Sequence, residues 1–247
     1  MKGLSQHGRA NRVYDVILLD QGKTFMFEND RFGHDVDYAV TYRELGGRLL
    51  SDIALRNAVT QLFEYFQAAY CDPERADSFP TIAEAIAELT GLGISDEDRD
   101  RIDELFAHHE AGSIAPRHVA ALRSLARNHR LGVVSNIWAS PRRFVTNLVD
   151  AGVCSCFEHL VWSSEHQCLK PTPRLFERAL ALFQVRPERV LFVGDDAIRD
   201  IDAAKSLGMS AAWVTPGAAP FPEWLRAPDL VIEDLAALPA LLEERPK

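Results

Sequence analysis

No apolar run in the 247-residue chain approaches the roughly 20 residues that a bilayer-spanning helix needs. Cysteine is scarce, with Cys71, Cys154, Cys156 and Cys168 alone. They form no C-x-x-C pair and no zinc-ligand spacing with histidine. Cys154 and Cys156 stand too close for an easy disulfide, so reduced thiols in a cytoplasmic protein are the expectation. Positive charge is in deficit, and the formal net charge is -9. Such a chain repels nucleic acid and anionic membrane, which excludes both as expected partners. An anionic ligand would need a local lysine or a metal. No repeat or low-complexity tract appears, and residues 1–12 carry no apolar core of a secretory signal, so a disordered lead-in is expected there. What remains is ordinary globular composition, 47% hydrophobic and 26% charged. It is long enough for one sizeable core and a second small lobe.

The stretch from Val13 to Thr24 organises the rest. Val16 to Leu19 is a short apolar run bounded by turn residues, as in a strand buried on both faces of a parallel sheet. Asp20 stands where it stops, and ligands of open α/β sheets bind just beyond strand carboxyl ends. Asp-Gly-type segments also open ordinary loops, so this position alone leaves a turn and a catalyst both open. The mixed polar and aromatic segment Phe25 to Gly33 predicts a hairpin-like flap or ordered loop beside the site, with Phe25, Phe27 and Phe32 as packing residues.

Between His34 and Ser113 strand-like runs vanish and helical spacing takes over. Ile53, Ala54, Ala58, Leu62, Tyr65, Phe66 and Ala69 trace one face of a long helix that Asp72-Pro73 ends. Thr81 caps a helix through Ile82, Ile86 and Leu89, with Gly91 closing it. Ser95 opens another through Ile102, Leu105 and Phe106, with acids at its positive end. The acidic run Asp96 to Asp103 reads as a solvated face, and the adjacent His108 and His109 make a poor metal pair. From Pro116, strands and helices alternate again. Strands are expected at Arg130–Asn136, Phe157–Trp162, Arg189–Asp196, Ser210–Val214 and Leu230–Ile232. Helices are expected over Val119–Ala126, from Ser140-Pro141 through Val149, from Thr172-Pro173 to Phe183, and over Ile198–Leu207. The alternation predicts an α/β fold, a doubly wound parallel sheet interrupted by a helical insert.

Four polar positions follow four predicted strands or lie in adjacent loops: Asp20, Ser135, Lys170 and Asp195. In this order, with Thr24 four places after Asp20, Asn136 beside Ser135, Pro171 after Lys170, and Gly194-Asp195-Asp196 followed by Asp200, they resemble the motifs of the haloacid dehalogenase-like (HAD) hydrolase superfamily. The resemblance covers Val13 to about Val214. It implies a Rossmann-like core over residues 13–33 and 114–247, with a C1-type α-helical cap over 34–113. It further implies Asp20 as a nucleophile that forms an aspartyl-phosphate, and Mg²⁺ held by Asp20, the backbone carbonyl of Gly22 and Asp195. Ser135, Asn136, Thr24 and Lys170 would then bind the phosphoryl group or brace its loop, Lys170 keeping Asp20 ionised. Asp196 or Asp200 would orient Lys170 or a metal-bound water. The implied substrate is a small phosphorylated metabolite, handled by a monomer or homodimer.

One position departs from the pattern. The family's phosphatases usually carry a second Asp two residues after the nucleophile, as the acid that protonates the leaving oxygen, and this chain has Gly22. General acid–base help is worth about 10²–10⁴-fold in rate. An activated leaving group, a substitute acid such as Glu28, Asp30, a cap residue or Lys23, or a non-catalytic binding module each accommodates the change. Dehalogenation is weakened by the acids Asp195 and Asp196. Phosphonate cleavage is weakened because residues 34–113 contain no lysine.

Overall fold

The computed structural model describes residues 14–89, 91–217 and 220–243. The expected lead-in over residues 1–12 lies outside them. Six parallel strands form one sheet: β1 (Val16–Leu19), β2 (Arg130–Ser135), β3 (Phe157–Trp162), β4 (Val190–Gly194), β5 (Ser210–Val214) and β6 (Leu230–Ile232). Their spatial order is β3-β2-β1-β4-β5-β6. β1 therefore sits between β2 and β4, in register with both, Leu19 opposing Val133 and Val193. The chain winds outward from β1 to β3, then returns to β4 and winds the other way. That reversal opens a crevice at the carboxyl ends of β1 and β4, the place where doubly wound sheets bind ligands.

Alternation along the strands separates two cores. Ile17 and Leu19 of β1 face one layer with Leu131, Val133, Leu191 and Val193. Helices α5 (Pro116–Asn128) and α6 (Arg142–Asp150), and the C-terminal α10 (Leu238–Glu243), cover that layer. Val16 and Leu18 face the other with Val134, Phe192, Leu175, Phe176 and Phe183. There α8 (Pro173–Phe183) and the short α9 (Ala203–Ser206) pack, and one further turn, α7 (Ser163–His166), follows β3. Strands buried on both faces explain why their sequences read as continuous apolar runs rather than alternating ones.

The insert between β1 and β2 holds four helices, α1 (Tyr38–Glu44), α2 (Asp52–Cys71), α3 (Ile82–Glu88) and α4 (Asp96–Glu110), with its own hydrophobic cluster. Among the described residues that cluster touches the sheet part through Trp138, Ala139 and Leu169. Thr81 and Glu84 cap α3 reciprocally, an arrangement worth about 1 kcal/mol.

Several expectations need correction. The buried face of α2 is Leu55, Ala58, Val59, Leu62, Phe66 and Ala69, a heptad-like spacing that starts at Leu55. Ile53, two residues off that stripe, is 76% exposed. The acidic run is not wholly a solvated face. Asp98 is fully buried, accepting from the Tyr42 hydroxyl at 2.8 Å and from Arg101 at 3.1 Å. Asp103 accepts from Ser140 N at 3.0 Å. Helix α1 was not foreseen, although Asp37 caps it. The expected helix over 198–207 is instead a π-helical turn, Ala197–Asp202, followed by α9. Of the two forms expected for the segment after β1, the ordered loop beside the site is the one found. It pairs through Phe27 with Ser113 of the returning connection, with N–O distances of 2.9 and 2.7 Å. None of the described helices is long and apolar enough to cross a membrane.

Candidate active site

A cavity of about 410 Å³ opens over the carboxyl ends of β1, β2 and β4. Asp20 follows β1 directly, Ser135 is the last residue of β2, and Asp195 follows Gly194 at the end of β4. Lys170 arrives from the loop before α8. Its backbone is clamped by Asn136, whose Oδ1 accepts from Lys170 N at 2.8 Å and whose Nδ2 donates to Lys170 O at 3.1 Å.

The Lys170 ammonium is buried and donates to Asp20 Oδ1 and to Asp200 Oδ1, each at 2.6 Å. Ser135 Oγ donates to the same Asp20 oxygen at 2.8 Å. Burial alone would lower the lysine. The two carboxylates outweigh it and raise its pKa above the ordinary range. Asp200 is carried in by the π turn. Asp196 caps that turn, accepting from Ile198 N and Arg199 N at 2.8 Å each. Asp200 accepts from Asp196 N at 3.0 Å. Glycine is required at 194, because a Cβ there would lie 2.3 Å from Asp200 Oδ2. Of the two acids left open by the sequence, Asp200 is the one that holds Lys170, while Asp196 pairs with Arg199 at 3.3 Å.

Asp20, Asp195 and Asp200 each offer an oxygen, all within 4.8 Å of one another. Lys170 is bonded to two of the three. Burial, and then the charges of Asp20 and Asp200, push Asp195 up to about 7. Three carboxylates facing one ammonium leave a negative surplus, and an all-oxygen donor set of this kind fits Mg²⁺ rather than a softer metal.

The opposite wall is aromatic. Phe63, Gln67 and Tyr70 of α2 line the opening together with Trp138 and Phe144. Trp138 packs within 5.5 Å of Phe63 and 5.6 Å of Phe66, centroid to centroid. Arg199 reaches across from the π turn. Its guanidinium lies 4.2 Å from the Tyr70 ring centroid and donates to Tyr70 O at 3.2 Å. Glu110, the last residue of α4, lines the cavity and accepts from Trp138 N at 2.7 Å and Ala139 N at 3.0 Å. Burial raises its carboxyl to about 8 against the opposing pull of those two N–H groups.

A family model described as haloacid dehalogenase-like hydrolase matches residues 38–208. The chain belongs to the haloacid dehalogenase-like hydrolase family. The matched span includes Ser135, Lys170, Asp195 and Asp200 but begins after Asp20. Two curated relatives are phosphatases of this kind of chain. A phosphoserine phosphatase of Thermus thermophilus is 32% identical over 68% of this chain and 65% of its own length, just under two thirds. A glyceraldehyde 3-phosphate phosphatase of Pyrococcus furiosus is 27% identical over 78% of this chain and 86% of its own. Among solved structures, a 2-haloacid dehalogenase of Pseudomonas syringae pv. Tomato superposes with a TM-score of 0.64 at 24% identity, covering 93% of this chain and 98% of that one. That likeness bears on the fold alone.

Within this haloacid dehalogenase-like hydrolase, the structure brings together Asp20, Ser135, Asn136, Lys170, Asp195 and Asp200 as the order of strands implied. Thr24 departs from its expected contact with substrate. It is fully buried, does not line the cavity, and its Oγ1 has no hydrogen-bond partner. Thr24 follows the positive-φ residue Lys23 and is buried away from the cavity lining. Glu28, one of the possible substitute acids, lies outside the cavity lining and accepts from Ser113 Oγ at 3.0 Å. Glu110, Arg199, Tyr70, Trp138 and Gln21 were not foreseen. Gln21 is buried beside Asp20 and accepts from Trp162 Nε1 at 2.6 Å. No short-range pattern marks these five, because each acquires its place from a distant element.

Proposed function

We propose that the chain hydrolyses a small phosphorylated metabolite, with Asp20 as the nucleophile. The observation that carries this reading is the buried Asp20–Lys170–Asp200 chain of 2.6 Å bonds beside a third carboxylate. A carboxylate tied to a buried ammonium stays ionised and aimed, as in-line attack on phosphorus requires. The Ser135 hydroxyl and the Lys170 ammonium are placed to receive phosphoryl oxygens as charge builds on them. Asp20, the Gly22 carbonyl and Asp195 would hold Mg²⁺, which supplies charge neutralisation for the incoming dianion. Asp20 then carries the phosphoryl group as an aspartyl-phosphate until water removes it.

Residues 13–33 and 114–247 serve in this reading as the catalytic core, and 34–113 as a C1-type cap that selects the substrate through Phe63, Gln67 and Tyr70. Gly22 takes the place where related phosphatases carry a second Asp. The four free cysteines accord with a reducing, cytoplasmic setting. The similarity to phosphatases acting on phosphoserine and glyceraldehyde 3-phosphate favours small phosphate monoesters as substrates. Dehalogenation draws support from Gly22 and from a relative named (S)-2-haloacid dehalogenase 2, matched over 45% of this chain. The surplus of carboxylates at Asp195 and Asp200 weighs against it, because departure of a halide needs no divalent cation.

The test is phosphate release with Mg²⁺ across a panel that includes phosphoserine, glyceraldehyde 3-phosphate and acetyl phosphate. Turnover abolished in Asp20→Asn is expected. Equal rates in wild type and Asp20→Asn contradict the reading. Halide release from 2-chloropropionate without metal assigns dehalogenation instead, and tight vanadate binding without turnover assigns a binding module.

A further inference from the structure

We infer that Asp30 is the acid that protonates the leaving oxygen, in a reaction otherwise as proposed above, on which this inference rests. An alkoxide leaving group needs a proton, and the carboxyl groups lining the cavity can be sorted by what already occupies them. Lys170, Asp20 and Asp200 are bonded to one another, and Asp195 faces the same cluster. Asp196 is engaged by two backbone N–H groups and by Arg199. Glu110 has one oxygen on each of two backbone N–H groups. Asp30 lines the same cavity, is open to solvent, and accepts from Asn29 Nδ2 at 2.9 Å through Oδ2.

Its position is the second argument. A Cβ built on Gly22 would lie 3.1 Å from Asn29 Nδ2. The amide that a side chain at 22 would meet is thus the one that holds the Asp30 carboxyl. Asp30 comes to the space next to position 22 from eight residues further along the chain.

The loop that presents it is held in an unusual shape. Lys23, Glu28 and Asp30 all have positive φ, at 54°, 59° and 56°, each costing on the order of 1 kcal/mol or more for a residue with a Cβ. Asp30 N donates to Glu110 O at 3.1 Å, and Arg31 N to His109 O at 2.8 Å. The Arg31 guanidinium donates to Glu28 O at 2.6 Å, to Ala111 O at 2.7 Å and to His108 O. Arg31 thereby ties both connections of the helical insert together, and strain kept in place by so many contacts is characteristic of functional loops. Partial desolvation raises the Asp30 carboxyl; Lys23 opposes this and Asp20 adds to it.

The proton account closes. Asp20 forms a bond to phosphorus, the bond from phosphorus to the leaving oxygen breaks, and that oxygen takes the Asp30 proton. Asp30, now a carboxylate, accepts a proton from the water that attacks the aspartyl-phosphate. The phosphorus–Asp20 bond breaks, giving inorganic phosphate and the starting protonation state.

The experiment measures kcat/KM for the full chain with Mg²⁺ on p-nitrophenyl phosphate, phenyl phosphate and glycerol 2-phosphate, whose leaving groups need progressively more protonation. In Asp30→Asn the loss is expected to grow along the series, from a few-fold with p-nitrophenyl phosphate to about 10²-fold or more with glycerol 2-phosphate. Retained activity on the nitrophenyl ester shows that the variant is folded. Asp30→Glu is expected to keep the wild-type dependence, and Gly22→Asp in the Asp30→Asn background to recover the alkyl substrate. A loss equal on all three substrates, or no loss, overturns the inference. If Asp30→Asn does not fold, Asn29→Ala must show the same graded loss, and an ungraded one overturns it. Failure of the parent reading is separate, since it appears as wild-type rates in Asp20→Asn.

Discussion

The two walls of the cavity are built by different physics. The sheet-end wall is charged and fully committed: Lys170 spans Asp20 and Asp200, and Asn136 fixes the lysine backbone. Asp20, Ser135 and Asp195 of this wall sit at the ends of central strands, where neighbouring register leaves them little freedom. The insert wall is aromatic, made of Phe63 and Tyr70 of α2, which pack on Trp138 from the loop after β2. Aromatic faces select by shape and buried area rather than by charge. In the function proposed above, one wall would treat all phosphoryl groups alike, and the other would read what the phosphoryl group is attached to.

Four changes test that contrast. The largest effect belongs to Asp20→Asn, which removes the proposed nucleophile and is expected to abolish phosphate release in steady-state assay. Next is Lys170→Met. It leaves Asp20 and Asp200 buried without their cation, and breaking a buried ion pair costs about 3–5 kcal/mol. Urea unfolding in the absence of Mg²⁺ should register that loss, whereas an unchanged midpoint would show that the pair is not organising the wall.

A smaller effect concerns Glu110, which joins the insert to the loop after β2. Its folded-state pKa of about 8 lies above its usual 4.5. The folded protein therefore holds this proton more firmly than the unfolded chain. The resulting stability is fully present below about 4.5 and is lost as pH rises through about 8. Thermal unfolding in EDTA should show the midpoint falling across that window, and a flatter profile is expected in Glu110→Gln. The smallest change is Phe63→Ala on the aromatic wall. It should shift KM among phosphate esters by several-fold while leaving inhibition by vanadate, a ligand expected at the charged wall, nearly unaltered.

The contrast also explains what could be read from the sequence. Asp20, Ser135 and Asp195 were legible because each ends an apolar run, and runs of that length are strands whose ends converge. Lys170 was legible through its order among them. The choice between Asp196 and Asp200 was not, because it depends on a π turn that an ordinary helical period does not announce. The insert wall was largely hidden. Phe63 and Tyr70 look like any residues of an amphipathic helix, and Trp138 becomes part of the wall only when α2 lies over it. Asp98 was misread for a related reason, since Tyr42, which makes its burial tolerable, lies 56 residues earlier. Thr24, placed by motif position as a substrate contact or a loop brace, is buried off the cavity lining, which fits the brace alone.

The central claim is that a phosphoryl group is transferred to Asp20 and then to water. A single turnover of acetyl phosphate or p-nitrophenyl phosphate in H₂¹⁸O, with excess enzyme and Mg²⁺, tests it directly by mass spectrometry of the phosphate and of the peptide containing Asp20. The predicted result is a phosphoryl adduct on the Asp20 peptide in acid-quenched samples, ¹⁸O in the released phosphate and an unlabelled Asp20 carboxyl; labelled phosphate with no adduct at any quench time, as direct attack by water on the substrate gives, would contradict the account. Label in the Asp20 carboxyl would mean that water attacks the carbonyl carbon, as in cleavage of an alkyl ester, and would contradict the account.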